Sequence, residues 1–365
     1  MLQVELPSNY MTKNDLTWLR HFGECDDVFT CLNVEGRKGR QTRDMGTGRA
    51  TRKEYRMLTD EERNRFHNAI IRFKNHYVGG RSRYDIFLTF HMAHRSPAAH
   101  FGASFLPWHR EYLKEIELAL RTYDPTIGIP YWDSTLDEGL PDPSDSILFS
   151  PEFMGNANGR VVTGPFAYWR TTLGGFLERD AGRSGAPLYS PSSLAYIFNR
   201  SSFSQLTYCV DPFFEMAHGG IHAWVGGPME IIEYSPNDPI FFLLHSFVDY
   251  LWEVFRQTKQ TSEERETDYP PPEQCCSIQH SAQSTMLPFA KRNIDGLSNS
   301  YLDEFYHYEM SPSCNKFQPF CYSPYLFCDI NRNRCLSKVM LGGSCAGFEF
   351  TDICYQGRCV NGVCI

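Results

Sequence analysis

The stretch PFFEMAHGGIHAWVGGPM, residues 212–229, places His218 and His222 four residues apart among apolar residues and glycines. Side chains four apart on a helix are neighbours, with about 5–6 Å between their Cβ atoms, so these two imidazoles can face one site. Asp211 and Pro212 at its start are typical of a helix N-terminus. The spacing leaves two interpretations open: isolated histidines within a core, or two ligands of one metal ion.

A third histidine lies in the apolar face of the next predicted helix. The sequence DPIFFLLHSFVDYLWEVFRQ, residues 238–257, has helical apolar periodicity and contains His245. A buried imidazole costs free energy unless its ring nitrogens find partners. A single histidine would be read as a core residue, but one metal ion held by His218, His222 and His245 explains all three together.

A second group of histidines lies upstream, around two more predicted helices. His91 ends the apolar run YDIFLTFH, His100 lies in the following loop, and His109 lies near the start of LPWHREYLKEIELALRTY. His94, one turn after His91, is the competing candidate. Two sets of three imidazoles, without a carboxylate at ligand spacing, favour copper or zinc, and the spacing does not separate these metals.

Cysteine usage predicts a crosslinked, secreted protein. Thirteen cysteines occur in 365 residues, and eight of them lie between Cys314 and Cys364. Such density is typical of a disulfide-stapled module from an oxidising compartment, although the first residues contain no apolar signal core. Asn199 in the sequence NRS is a candidate glycan acceptor.

Charge and hydropathy exclude two classes of partner. Basic residues number 35 and acidic residues 43, without a basic run, which argues against nucleic-acid binding. No apolar run reaches the length of about 18 residues that a membrane span needs. We therefore expect neither nucleic acid nor a bilayer-spanning segment.

Five motifs resemble the tyrosinase family of type-3 copper proteins over roughly residues 54–258. They are HFGASFLPWHREYL, IPYWD, TGPFAYW, HGGIHAWVGG and NDPIFFLLHSFVDYLW. The resemblance implies two copper ions within a helical bundle, each held by three histidines. His91, His100 and His109 would hold the first copper, and His218, His222 and His245 the second.

The same resemblance implies a fold and a domain order. We expect a mainly α protein with a four-helix bundle core around the dicopper centre, long loops and a small disulfide-rich module at the C-terminus. The predicted order is an N-terminal extension at 1–53, the dicopper domain at 54–258, a linker or wrapping segment at 259–313 and the cysteine-rich module at 314–365.

The activity that the resemblance implies is oxidation of catechols to o-quinones with O₂, together with o-hydroxylation of monophenols. The expected partners are O₂ and small phenols or catechols, with protein-bound tyrosine as a further candidate. Two alternatives stay open. One is an extracellular structural matrix protein with a vestigial or zinc-loaded site, and the other is haemocyanin-like O₂ binding.

Four further residues receive expected roles. We expect Asp133 and Asp249 to accept hydrogen bonds from ligand N–H groups and so fix their tautomers. Gly219 stands where hydroxylating relatives often carry an asparagine that helps hold a water. Glu215, three residues before His218, is the candidate base in its place. We therefore expect rapid catechol oxidation and slow monophenol hydroxylation.

Overall fold

Helices form the framework of the protein, as the sequence predicts. The computed structural model describes residues 48–365. The α-helices are α1 Asp60–Asn75, α2 Arg83–Leu88, α3 Phe105–Arg121, α4 Thr135–Glu138, α5 Pro191–Phe198, α6 Phe213–Val225, α7 Ile240–Lys259 and α8 Glu264–Thr267. A 3₁₀ turn, Thr89–His91, continues α2.

Local sequence explains why the longer helices begin where they do and which face they bury. Thr59 and Glu62 form a capping box at the start of α1, so two backbone donors of the first turn are satisfied. The α7 helix is buried from Ile240 to Glu253, and it packs against α3, which also contacts α1. These packed helices fix the relative positions of the histidines that they carry.

The strands form only short two-stranded ribbons within the described part of the chain. They are β1 Ala50–Arg52, β2 Tyr77–Val78, β3 Arg81–Ser82, β4 Asn158–Arg160, β5 Glu178–Asp180, β6 Tyr306–Tyr308, β7 Leu326–Asp329, β8 Arg334–Ser337, β9 Cys359–Val360 and β10 Val363–Cys364. The β1 strand runs parallel to β6, with Arg52 opposite Tyr308. This ribbon joins the predicted N-terminal extension to the predicted wrapping segment.

The long loop region between α4 and α5 contributes to the core. Ile147, Phe153, Val161, Phe166 and Leu177 are buried in the same apolar cluster as the helices. The composition of residues 137–205, rich in Gly, Pro and Ser, predicts long surface loops. The loops are present, but the prediction that they lie at the surface is wrong, since single apolar side chains without periodicity anchor them to the bundle.

Four disulfides hold the C-terminal module, and they are Cys314–Cys328, Cys321–Cys335, Cys345–Cys359 and Cys354–Cys364. A fifth, Cys209–Cys276, lies outside the module and joins the segment before α6 to the chain after α8. Among the described residues Cys275 is the one cysteine outside a disulfide, while Cys25 and Cys31 lie outside the described residues.

The module packs directly on the helical domain. The Tyr325 ring lies 4.8 Å from that of Phe153, centroid to centroid, at nearly a right angle. The carbonyl of Lys338 accepts a hydrogen bond from the N–H of Ile147 at 2.8 Å. Across residues 48–365, no helix has both the length and the apolar character that a bilayer span requires.

Candidate metal centre

The first group of histidines comes together from three successive pieces of chain. His91 lies at the end of the 3₁₀ turn, His100 in the loop that follows and His109 on α3. The ring of His100 lies 4.8 Å from that of His91 and 4.9 Å from that of His109, measured between centroids. The Nε2 atoms of His91 and His109 are 3.3 Å apart. Three imidazole nitrogens thus converge on one point.

The second group combines two neighbouring helices. His218 and His222 lie one turn apart on α6, and His245 lies on α7. The Nε2 atom of His245 is 3.2 Å from that of His218 and 3.3 Å from that of His222. The i, i+4 spacing seen in the sequence therefore does bring both α6 imidazoles to one site.

The two groups adjoin each other. The rings of His109 and His245 stack at 4.2 Å with only 10° between their planes. Because His109 belongs to the first group and His245 to the second, this stacking brings the two groups into direct contact. His94 lies outside both groups, and its side chain is exposed.

The protonation of these histidines fits cation binding. Burial lowers the pKa of His100 to about 3 and that of His222 to about 4. It also holds the pKa values of the other four histidines, His91, His109, His218 and His245, well below the ordinary range. All six rings are therefore neutral at pH 7, each with one lone pair available to a metal.

Backbone contacts indicate which nitrogen carries the lone pair. The Nδ1 atoms of His109, His218 and His222 lie 2.9–3.0 Å from the carbonyl oxygens of Phe105, Glu215 and Met229. These contacts assign the protons to Nδ1 and leave each Nε2 as an acceptor. The Nε2 acceptors of His109, His218 and His222 each lie 3.2–3.3 Å from the Nε2 atom of another ring, so the nitrogens of each group converge as the ligands of one metal ion would, and this donor set fits one metal ion per group.

Two phenylalanines that the sequence analysis missed pack against both groups. The Phe241 ring lies 4.1 Å from that of His245 and 5.0 Å from that of His91. The Phe105 ring lies 4.8 Å from that of His109 and 5.0 Å from that of His218. Each phenylalanine precedes a histidine of its own helix by four residues, which is the signal that could have identified them.

A cleft of about 430 Å³ opens onto both groups. His100, His218 and His222 contribute to its wall, and the rest is a mixture of apolar side chains, two glycines and three polar side chains. The other lining residues are Phe101, Glu215, Met216, Gly219, Gly220, Ala223, Met229, Glu230, Ile232 and Ser235. Volumes of this size are typical of small-molecule sites.

Glu215 is a buried carboxyl group at the edge of this cleft. Its Oε1 atom accepts a hydrogen bond from the N–H of Phe101 at 2.6 Å, and its buried Oε2 atom has no partner among the described residues. Burial raises the pKa of Glu215 to about 8, although backbone N–H groups of Phe101 and Gly102 oppose the shift. Gly219 lies nearby on α6, and a Cβ atom added there would meet nothing within 4 Å.

The roles expected for Asp133 and Asp249 need correction. Asp133 accepts hydrogen bonds from the N–H and hydroxyl of Thr135 and from the hydroxyl of Ser311. Asp249 accepts from Arg52 and Arg110 and from two tyrosine hydroxyls. Neither contacts a histidine of the centre, and the Nδ1 atoms of His109, His218 and His222 face backbone carbonyls instead.

Asn199, the candidate glycan acceptor, caps the C-terminus of α5 and is exposed. Its position gives a modifying enzyme access to the side chain, and its glycosylation stays a prediction.

Sequence comparison identifies the class of protein. The family model for the common central domain of tyrosinase matches residues 81–200 and 189–258. The chain is 33% identical to tyrosinase-like protein 2 of Margaritifera margaritifera, over 80% of this chain and 68% of that protein. It is 32% identical to the tyrosinase of Streptomyces lincolnensis, over 58% of this chain and 84% of that protein.

The chain therefore belongs to the tyrosinase family of type-3 copper proteins. Proteins of this family bind two copper ions, and each histidine group brings three imidazole nitrogens within reach of a single ion. The chain is also 42% identical to the tyrosinase-like protein tyr-3 of Caenorhabditis elegans, over 94% of this chain. It spans only about half, 51%, of that nematode relative.

Solved structures share the fold at low sequence identity. A polyphenol oxidase variant from Thermothelomyces thermophila matches 83% of this chain and all of its own, with 20% identity and a TM-score of 0.58. Deoxygenated hemocyanin from Rapana thomasiana matches 72% of this chain and 70% of its own, with 22% identity and a TM-score of 0.51. These likenesses confirm the helical-bundle fold.

Proposed function

We propose that this protein uses O₂ to oxidise catechols to o-quinones, and that it hydroxylates monophenols slowly. The observation that carries the proposal is the pair of adjoining histidine groups open to one cleft. Membership of the tyrosinase family supports a copper oxidoreductase, and the cleft supports a small substrate.

His91, His100 and His109 would hold one copper, and His218, His222 and His245 the other. Bound there, the two coppers would supply the two-electron exchange between O₂ and a catechol, which loses two protons and two electrons as it becomes an o-quinone. The chain's own contribution is to keep six neutral imidazoles in place, three of them through backbone acceptors, with packing by Phe105 and Phe241.

The cleft suits a single aromatic ring. Phe101, Met216 and Ile232 offer apolar surface on which a phenol can lie, and His100 and His218 mark its inner wall. A phenolic hydroxyl that reaches this wall lies close to Glu215, whose Oε2 atom has no partner among the described residues. Because burial raises the pKa of Glu215 to about 8, only the minor, ionised fraction of this carboxyl group can accept the phenolic proton at neutral pH, which agrees with slow hydroxylation. Phenols titrate near 10, so such an acceptor is needed at neutral pH.

The expected preference for catechols rests on Gly219. This residue lines the cleft without a side chain, so it supplies no amide to hold a water for proton removal. A catechol needs this help less, because its first hydroxyl is more acidic than that of a monophenol and two oxygens can engage the centre.

The contents of the cleft wall argue against haemocyanin-like O₂ binding. Every residue that lines the cleft lies between positions 100 and 235, so the cysteine-rich module at 314–365 contributes nothing to this wall. An O₂ carrier needs its centre screened from phenols, whereas this cleft offers them apolar walls. A matrix protein with a zinc-loaded site is the other outcome that the experiment below tests.

We further propose that the protein is secreted. Five disulfides lie within residues 48–365, which is typical of an oxidising compartment.

The experiment is metal analysis coupled to turnover. The full chain is loaded with copper or with zinc, and each form is assayed with a catechol and with the matched monophenol while O₂ consumption is recorded. We expect both histidine groups to fill with copper and only the copper form to oxidise catechol. Preferred zinc binding, or reversible O₂ uptake without quinone, would refute the proposed activity.

A further inference from the structure

The loop that carries His100 differs from the supports of the other five histidines. Residues 92–104 contain no α-helix or strand, whereas the others lie on α3, α6, α7 or the 3₁₀ turn. A helix fixes the direction of its side chains through its own hydrogen bonds. His100 has no such support, so contacts from elsewhere must hold its loop.

Ser104 closes this loop at the start of α3. It occupies the N-cap position, but its side chain makes no capping hydrogen bond to the helix. Its hydroxyl donates instead to the carbonyl of Ala98 at 2.5 Å. Serine at an N-cap position normally accepts a hydrogen bond from a backbone N–H of the first helical turn. Here the hydroxyl holds the loop instead.

His280, which is distant in sequence, contacts this closure directly. Its Nδ1 atom lies 2.7 Å from the Oγ atom of Ser104. Its ring also lies against Gly102, where an added Cβ would come within 2.4 Å of the ring atoms. Burial lowers the pKa of His280 to about 4, and a hydrogen bond to the backbone of His100 opposes that shift. The ring therefore contacts the loop at three residues.

The backbone around His280 is itself fixed. The hydroxyl of Tyr269 donates to the carbonyl of His280 at 2.7 Å. The amide of buried Asn293 donates to the carbonyls of Gln279 at 2.7 Å and Ser281 at 2.9 Å. His280 is thus held on both sides, so it can serve as a rigid support.

We propose that His280 is a positioning residue for the first histidine group, which holds the 92–104 loop so that the His100 ring stays directed at His91 and His109. The proposal rests on the proposed copper function. It also assigns part of the 259–313 segment, which lies outside the family-model match, to the support of the metal centre.

The test measures copper retention by the full chain during dialysis against a chelator. His280→Phe keeps a buried ring and removes its polar contacts, while Ser104→Ala removes the hydroxyl alone. The matched control is His67→Phe, because His67 is 4% exposed like His280 and also makes a side-chain hydrogen bond, to Tyr55, away from the centre. Copper content and the free energy of unfolding of the metal-free chains are recorded together.

We expect both loop variants to bind the copper of the first group about tenfold more weakly or worse, while the second copper and the His67→Phe control keep wild-type retention. If His280→Phe does not fold, Ser104→Ala carries the test. Wild-type retention of both coppers in the loop variants would overturn the proposal, as would equal loss in the control. A wild-type chain that binds no copper would refute the proposed function itself, and this inference with it.

Discussion

The Nε atom of Arg110 donates to the Oδ1 atom of Asp249 at 2.6 Å and so joins the two helices that carry His109 and His245. Arg110 follows His109 directly, and Asp249 lies one turn after His245. Both side chains are buried. Although burial raises the pKa of Asp249, the charges of Arg110 and Arg52 outweigh it and hold the pKa below its ordinary value. This ion pair thus fixes the α3–α7 contact beside the stacked histidines.

Asp249→Ala should destabilise the metal-free protein strongly. It leaves Arg52 and Arg110 buried without this carboxylate, and breaking a buried pair in this way costs about 3–5 kcal/mol of unfolding free energy. Denaturant unfolding measures the loss. Glu61→Ala is the control, because Glu61 pairs with Arg65 at the exposed surface of α1 and should cost less than about 1 kcal/mol. Similar losses in both variants would contradict the structural role.

His91→Ala should remove the copper of the first group and leave that of the second. His91 points at His109 and is buried, whereas His94 is exposed and lies outside both groups. His94→Ala is therefore the matched control and should keep both coppers. Metal analysis after copper loading measures the copper content of both variants. Loss of copper from His94→Ala but not from His91→Ala would show that the assignment is wrong.

Gly219→Asn should raise the ratio of monophenol turnover to catechol turnover by about a hundredfold, the lower end of the range for assisted proton transfer. The α6 helix has space for the new side chain at this position, and asparagine is no worse than glycine within a helix. Gly219→Ala fills the same space without an amide and should leave the ratio unchanged. An unchanged ratio in the asparagine variant would show that this position does not limit hydroxylation.

The metal-free protein should lose stability as the pH falls from about 6.5 towards 4. Burial lowers the pKa of His222 to about 4 and that of His67 to about 3, so the unfolded chain binds protons in this range that the folded chain does not. These groups therefore leave the free energy of unfolding unchanged at pH values above the ordinary histidine pKa. Below that pH the free energy of unfolding decreases, by at most about 1.4 kcal/mol per pH unit for each group.

Urea midpoints at pH 7 and pH 5 measure this decrease. His67→Phe removes one such group without touching the metal centre and should flatten the decrease. Greater stability at pH 5 than at pH 7 would contradict the expected sign.

Local spacing predicted the histidine groups because their geometry is mostly local. An i, i+4 pair such as His218 and His222 converges on any helix, and His245 follows on the next helix. The same reasoning, applied to Phe105 and Phe241, would have predicted the aromatic packing around the groups. The ligand assignment itself stays a proposal.

The hydrogen-bond partners of Asp249 could not be predicted from the spacing of residues in the sequence. Its partners Arg52, Tyr306 and Tyr308 lie far from it in sequence, and only the β1–β6 ribbon brings them together. Likewise, no pattern indicates that backbone carbonyls, rather than carboxylates, accept the ring protons of the histidines. Long-range pairing and irregular backbone therefore account for what the sequence analysis missed.

The ribbon between β1 and β6 also affects how substitutions act during the evolution of this protein. Asp249 lies in the central region shared with the family, as does Arg110, yet its other partners come from the stretches before and after that region. A substitution at Arg52 or Tyr308 alters the environment of the helix that carries His245. In this chain the central region therefore depends on both flanks for the environment of that helix.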